Sequence, residues 1–313
     1  MSNDDDSFHS ADSSLNDSYS STAGTLGDLV RQSFVSQPRK FLNICHINAQ
    51  SVPSHYSDLF DTFADADVHA VLISETWLKP HLLSTTYPLP GFILIRNDRV
   101  GKRGGGVAIY LKSGLSHKIL VSSPANSATA EFIFIEACVN GAKIVLGVVY
   151  CPPCVDYFSS IEPVLESLGS EYQHIVIMGD FNTDLLSHSS SRSRKLLDIT
   201  RSASLHVLPL QATHHNPDGH DTWLDLILTS SPPLVSSFGQ YPAPGFSHHD
   251  LIYLSYILKP PKPSPKVLHL RSFRRMDVEK LRRDASNVNW EGLKQAATVS
   301  EKVAILNQHL INL

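Results

Sequence analysis

The chain has 313 residues, 42% apolar and 18% charged, with a formal net charge of −4. That balance suits a soluble globular protein and excludes a global nucleic-acid-binding charge, so any such surface must be a local basic patch. Four cysteines are too few for a disulfide scaffold and fit a reduced, intracellular compartment. No apolar run approaches the ~18–20 residues that span a bilayer, and the acidic, Ser-rich N-terminus is no secretory signal, so no membrane partner is expected.

Residues 1–39 are rich in Ser, Asp and Gly, lack an apolar period and read as a disordered lead. Ordered structure begins with a strand over residues 41–47, which puts Asn48 at a strand end. Tyr56, Leu59, Phe60 and Phe63 give residues 54–65 helical spacing. A second buried strand, residues 68–73, runs straight into Ser74-Glu75-Thr76-Trp77. A carboxylate ending an apolar strand is costly unless partnered. A hard divalent cation such as Mg²⁺ would offset that cost; a solvated rim position is the other reading.

Residues 91–97 form a further strand around the apolar run Phe92 to Ile95. The run Gly101-Lys-Arg-Gly-Gly-Gly106 then precedes the apolar stretch 107–111. It reads as a hairpin turn, although its glycines can admit a phosphate and Lys102 and Arg103 add charge. It is not a P-loop, because the Gly-Lys-Ser/Thr ending is missing and a strand follows where a helix should. Residues 130–139 and 143–149 pair over Asn140-Gly141. The second of these strands ends in Tyr150, whose hydroxyl can donate to a phosphate. Cys151-Pro-Pro-Cys154 has neither the second cysteine pair of a structural zinc site nor a following helix to activate a thiol. Its prolines end a strand.

Residues 159–172 are helical in pattern, and Ile175 to Met178 form a buried strand. Gly179 releases the backbone, and Asp180 and Asn182 follow at i and i+2, sharing a face if the chain stays extended. A carboxylate and an amide at a strand end suit water activation beside a phosphate; an ordinary polar turn is the alternative. A helix over 191–202 and a short strand over 205–210 come next, then the polar loop 213–221 with three histidines, read as solvated. Asp225 lies inside the apolar strand 223–229 and needs a partner, for which a histidine is suited. Ser247-His248-His249-Asp250 opens a last strand, 251–258, and either histidine can act as acid or base near neutral pH.

The domain therefore covers residues 40–258. A stiff Pro-rich linker follows over 259–265, then a connector over 266–313, basic at its start, with helical patterns from Asp277 and Ser300. The sequence stops inside an amphipathic pattern (Val303, Ile305, Leu306, Leu310) and reads as a truncated frame.

The words Ile44-Cys-His-Ile-Asn-Ala-Gln-Ser51, Leu72-Ile-Ser-Glu-Thr-Trp-Leu78, Arg103-Gly-Gly-Gly-Val-Ala-Ile-Tyr110, Gly179-Asp-Phe-Asn182, Leu224-Asp-Leu-Ile-Leu-Thr229 and Ser247-His-His-Asp-Leu-Ile252 occur in this order. With them the chain resembles the endonuclease/exonuclease/phosphatase superfamily, within it the apurinic-type endonuclease domain of non-LTR (LINE-type, Jockey-like) retrotransposons. The resemblance implies an α/β class fold: a DNase I-like four-layered sandwich, two face-to-face mixed sheets flanked by helices. It implies a metal-dependent endonuclease that nicks double-stranded DNA in the nucleus and leaves a 3′-hydroxyl primer. In that reading Glu75 holds Mg²⁺ and Asn48 arranges the metal site. Asp180 positions or deprotonates water and Asn182 orients it. His249, held by Asp225, contacts the phosphate, as do Tyr150, Thr213 and Ser247. No small-molecule cofactor and no reverse transcriptase are expected within these residues.

The family commonly reads Ser-Asp-His where this chain has Ser247-His248-His249. His248 then takes the place of a carboxylate that assists the metal, and imidazole suits Mn²⁺ better than Mg²⁺. Two other functions stand beside the nuclease: an inactive nucleic-acid-binding remnant, and a phosphoesterase acting on a small molecule or lipid headgroup.

Overall fold

The computed structural model describes residues 24–35, 41–126, 128–139, 141–153, 155–216, 219–258 and 276–312. Among the described residues, twelve strands build two mixed sheets of six. In the first sheet the order is β11 (Val235–Tyr241), β12 (Leu251–Tyr256), β1 (Leu42–Asn48), β2 (Ala70–Ser74), β4 (Val107–Lys112), β3 (Phe92–Asn97). In the second it is β5 (Ser116–Ser122), β6 (Glu131–Val139), β7 (Ala142–Tyr150), β8 (Ile175–Asp180), β10 (Asp225–Thr229), β9 (His206–Val207). Each sheet has one parallel pair at its centre, β1 with β2 and β7 with β8, and all other pairings are antiparallel. Each parallel pair is joined through a helix, α2 (Tyr56–Phe63) or α3 (Phe158–Glu171), as parallel crossovers require.

Strand alternation sets the layers. Leu42 and Ile44, Ala70 and Leu72, Ile144 to Val148 at every second residue, Val176 and Met178, and Ile227 pack in one cluster that takes residues from both sheets. The opposite faces pack on helices. Cys45, Ile47, Val71 and Ile73 join Leu59 and Phe63 of α2. Val145, Val149, Ile175 and Ile177 join Ile161 and Leu165 of α3 and Leu196 and Ile199 of α4 (Ser191–Ser202). The result is helix, sheet, sheet, helix: the expected four-layered sandwich.

One part of the lead departs from expectation. Leu26–Val35 form helix α1, whose Val30 and Phe34 are buried in the same cluster as α2. Phe34 meets Tyr253 edge-on at 5.8 Å. An apolar face of only a few residues was too short to stand out among the polar residues of 1–39. The edge strands β5 and β11 were also unforeseen, and the strand expected over 205–210 is reduced to His206–Val207. The linker 259–265 lies outside the described residues. A separate unit carries α5 (Val278–Ser286), capped by Asp277, then α6 (Glu291–Gln295) and α7 (Val299–Asn312). Val303, Leu306 and Leu310 of α7 are exposed.

Gly179 does not release the backbone; it is inside β8, and a Cβ there would lie 2.0 Å from the Val149 carbonyl oxygen. That neighbour is backbone of an adjacent paired strand and cannot step aside. Overpacking of this kind costs about 1–3 kcal/mol. Gly179→Ala should therefore lower the unfolding free energy by that amount, read as a lower urea midpoint with an unchanged slope; an unchanged midpoint would refute the packing argument.

Candidate active site

The inward rows of both sheets turn polar at one shared end. On β1 the row is Leu42, Ile44, His46, Asn48; on β2 it is Ala70, Leu72, Ser74; on β8 it is Val176, Met178, Asp180. Across the second sheet, Glu131, Tyr150, Asp180 and Asp225 are register partners on four neighbouring strands. Asp180 and Asp225 are thus directly opposed carboxylates, 1% and 0% exposed. Like charges so placed repel and need donors or counter-charge.

Those partners come from the first sheet. Asn48 Nδ2 donates to Asp180 Oδ2 at 2.9 Å and to Glu75 Oε1 at 3.1 Å, joining the two carboxylates. Its Oδ1 accepts from the Gln50 amide at 3.2 Å. Glu75 is half-buried, has φ +52° and receives the Trp77 indole N–H on Oε2 at 3.1 Å. The left-handed backbone at Glu75 and Trp77 is unusual for such side chains. It is fixed by Thr76 and Trp77 N–H donating to the carbonyls of Gly106 and Gly105. The glycine run is the β3–β4 connection, and what lies close to it is a side chain. A Cβ on Gly105 would overlap the Arg99 guanidinium, which pairs with Glu131 and lies 5.6 Å from the Tyr150 ring centroid.

Asn182 does not continue an extended strand: its φ is +43°. It reaches Asp180 by a different route, donating its backbone N–H to Oδ1 at 2.9 Å and its amide to Oδ2 at 3.1 Å and to the Cys151 carbonyl at 2.9 Å. Cys151 is a buried free thiol at the end of β7; Cys154 lies outside the described residues.

His249 completes the cluster. Its Nδ1 is 2.8 Å from Asp225 Oδ2 and its Nε2 is 4.0 Å from Asp180 Oδ2. Ligand atoms of Asp180, Asp225 and His249 all lie within 4.8 Å of one another. Burial alone would lower the His249 pKa, but the charge and hydrogen bond of Asp225, then Asp180, outweigh it and push it up to about 9. Asp180 is pushed up to about 7 by burial first and by Asp225, with His249 acting the other way. Burial would raise Asp225 too, but His249 holds it below its ordinary value. Burial and the charges of Glu75 and Asp180 push the Tyr150 phenol well up, so it stays a donor.

Three expected contacts with a phosphate or metal take other places. Thr213 is 0% exposed, and its hydroxyl donates to Asp225 Oδ2 at 2.8 Å while accepting from the Leu224 and Asp225 amides. It is a support for Asp225, not a phosphate contact. Ser247 donates to the Asn48 carbonyl at 2.7 Å and accepts from the His249 amide at 3.2 Å, which ties the histidine loop to β1. His248 is exposed and stands outside the Asp180, Asp225 and His249 cluster. Asp250 faces away from that cluster, bonded to Gln240 at 2.7 Å and His215 at 3.1 Å.

Sequence reading missed Trp77, Arg99 and His46, although His46 shares strand parity with Asn48. It took the histidines of 213–221 as solvated, whereas His214 is half-buried with its ring centroid 4.6 Å from that of His249.

The donor set fits a hard divalent cation. Glu75 presents a partly exposed carboxylate joined to Asp180 through the Asn48 amide, beside the Asp180, Asp225 and His249 ligand atoms that lie within 4.8 Å of one another, so a divalent cation would find carboxylate oxygen there. Asp225 is the poorer ligand, because its Oδ2 is engaged by Thr213 and His249.

The raised His249 pKa makes a pH prediction for the metal-free protein. A histidine whose folded pKa exceeds its ordinary 6.5 adds stability in full below pH 6.5, and that stability is lost as pH rises through about 9. Asp225→Asn should bring His249 titration, followed by imidazole NMR, down by a unit or more. It should also flatten the stability loss between pH 6.5 and 9. Titration still near 9 in the variant would show that Asp225 is not the cause.

The model of the Endonuclease/Exonuclease/phosphatase family matches residues 41–264. A search of curated proteins finds no match. Among solved structures, the chain is similar to the endonuclease domain of TRAS1, a telomere-specific non-LTR retrotransposon. TM-score is 0.54 at 14% identity, over 70% of this chain and 99% of that one. It is similar to AP endonuclease LMAP from Leishmania major (TM-score 0.56, 14% identity, 73% and 92% covered). It is also similar to a variant of the 3′ phosphatase NExo from Neisseria, bound to product DNA hairpin (0.54, 15%, 69% and 99%). At these identities the structures attest the DNase I-like fold alone, and the family match over most of the chain decides the assignment: this protein belongs to the Endonuclease/Exonuclease/phosphatase family.

Proposed function

We propose that the chain is a divalent-metal-dependent endonuclease that nicks double-stranded DNA in the nucleus. The product would be a 3′-hydroxyl that serves as a primer in the manner of a non-LTR retrotransposon. The observation that carries this reading is the Asn48 amide joined to both Glu75 and Asp180, with His249 held by Asp225 at 4.0 Å from Asp180.

A cation held by Glu75, with Asn48 and Asp180 beside it, would polarise the scissile phosphate and screen charge on the leaving oxygen. Asp180 accepts a proton from the attacking water, a role suited to a carboxyl raised to about 7. The water oxygen bonds to phosphorus, the bond from phosphorus to the 3′ oxygen breaks, and that oxygen leaves and takes a proton from solvent to become the hydroxyl. Asn182 holds both Asp180 oxygens in place, fixing the base rather than the water. Protonated His249 presents Nε2 to a phosphate oxygen and stabilises charge that grows there. Tyr150, kept protonated, offers its hydroxyl to the same group.

DNA would lie against the rim beside Glu75. Lys102 and Arg103 are exposed, the Arg103 guanidinium lies 5.3 Å from the Trp77 ring centroid, and Lys79 Nζ anchors the loop through the Lys102 carbonyl at 2.9 Å. This supplies the local basic patch that the overall charge of −4 requires. Phosphate contacts position DNA without reading its sequence.

Nicking of supercoiled plasmid tests the chemistry. Asp180→Ala should lose activity by about 10²–10⁴-fold, the usual contribution of a general base. Unchanged nicking would remove Asp180 from the mechanism, and a folded wild type silent in both Mg²⁺ and Mn²⁺ would end the nuclease reading. Because His248 is exposed and outside the Asp180, Asp225 and His249 cluster, His248→Asp should change nicking in Mg²⁺ and Mn²⁺ alike; a gain confined to Mg²⁺ would return position 248 to the metal site.

Binding is tested separately with Arg103→Ala. Loss of one phosphate contact should weaken DNA affinity alike across sequences and reduce the log–log salt slope by about 1. An unchanged slope would take the glycine loop out of the DNA interface.

A further inference from the structure

The inward row of β1 holds a histidine one step below the active site. His46 and Asp225 are both 0% exposed. They come from different sheets, and His46 Nδ1 faces Asp225 Oδ1 at 3.9 Å. Among the described residues neither atom has a hydrogen-bond partner. Asp225 is therefore asymmetric: Thr213 and His249 both engage Oδ2, and His46 faces Oδ1.

The histidine's other nitrogen fixes which atom carries the proton. Nε2 is 3.1 Å from the hydroxyl of Ser74, itself fully buried at the end of β2. If Ser74 donates to Nε2, the neutral ring bears its hydrogen on Nδ1, directed at Asp225. Burial favours that neutral ring. A buried carboxylate oxygen and a buried N–H left apart are each costly, and an approach of about 1 Å brings them to hydrogen-bond length.

We infer that His46 is a positioning residue: through Nδ1–H it holds the second oxygen of Asp225, so that Oδ2 keeps His249 aimed at the reacting phosphate. The relay runs Ser74, His46, Asp225, His249: it crosses from the first sheet to the second and ends in the segment before β12. His46 touches no group that the proposed mechanism gives to the substrate, and its partner Asp225 is the carboxylate already engaged by Thr213 and His249. Supporting partners of this kind affect activity by on the order of tenfold or more. The inference rests on the proposed nuclease reading for its kinetic test, but not for its spectroscopic one.

The test uses two amides of matched polarity. Asparagine places a donor where Nδ1 stands; glutamine places its amide nearer Nε2. In the full chain, His46→Asn should retain plasmid-nicking kcat within about threefold, while His46→Gln and His46→Leu should lose on the order of tenfold with KM unchanged. In parallel, the downfield proton resonance of the His249–Asp225 hydrogen bond should persist in His46→Asn and broaden through faster exchange in the other two. Equal kcat and equal spectra for Asn and Gln, or a loss that falls on KM alone, would overturn the assignment. If wild type does not nick DNA, the nuclease reading fails by itself. The proton spectrum then decides the role of His46: a resonance that all three variants leave unchanged rules it out.

Discussion

Strand alternation confined between two packed sheets is the constraint on which the rest depends. Every second residue of β1, β2, β7, β8 and β10 faces the opposing sheet, and that space admits only apolar side chains along most of its length. Polarity is tolerated where the strands run out. Because the two parallel pairs end at the same edge, Asn48, Ser74, Tyr150 and Asp180 arrive there together, and antiparallel β10 begins there with Asp225. A one-residue slip in any of these strands would turn its polar residue outward and an apolar neighbour inward. The hydrophobic core therefore fixes the register of the site.

The same geometry creates an electrostatic difficulty. Asp180 and Asp225 are forced opposite each other in a dry layer, with Glu75 beyond them. The chain answers with donors from outside that sheet: Asn48, at the end of β1, for Asp180 and Glu75, and His249, in the segment before β12, for Asp225. Ser247 then bonds back to β1 through the Asn48 carbonyl. Polar contacts thus close the sandwich at this edge as the apolar cluster closes it further in. Burial first, and then the carboxylates of Asp225 and Glu75 that the single charge of His249 only partly offsets, make Asp180 hold its proton more tightly than an ordinary aspartate, and the same excess of negative charge is why a cation suits the place.

What the sequence revealed follows from the same rule. Long, fully buried strands such as β1, β7 and β8 are legible because each residue serves the core, and the polar residues that end them stand out as candidates. Asp180, Asp225, Glu75, Asn48 and His249 were visible in that way. Edge strand β5 is largely exposed and β11 is half-buried along nearly all its length, so they carry Ser, His, Lys and Gln without a clear period. Helix α1 is held by two buried side chains, too weak a pattern to rise above its polar surroundings. Side-chain direction was the other limit. Thr213 and Ser247 sit beside the site in sequence and in space, yet whether a hydroxyl points to a ligand or to a neighbouring carboxylate depends on the turn, which spacing does not encode.

Backbone strain shows where the scaffold was bent to serve the site. Glu75 and Asn182 have φ of +52° and +43°, each immediately past the end of an inward row. Extended geometry would carry Glu75 away from Asn48 and Asn182 past Asp180. A left-handed residue there folds the chain back, so that the carboxylate meets the Asn48 amide and the amide meets both Asp180 oxygens. Such conformations cost of order 1–3 kcal/mol each for a residue other than glycine. At Glu75 the carbonyls of Gly105 and Gly106 hold the bend, and at Asn182 the Cys151 carbonyl and Asp180 do so. The glycine run, the buried Cys151 and the sheet ends are therefore parts of one device, in which paired backbone holds two strained residues against carboxylates that the core has already put in register.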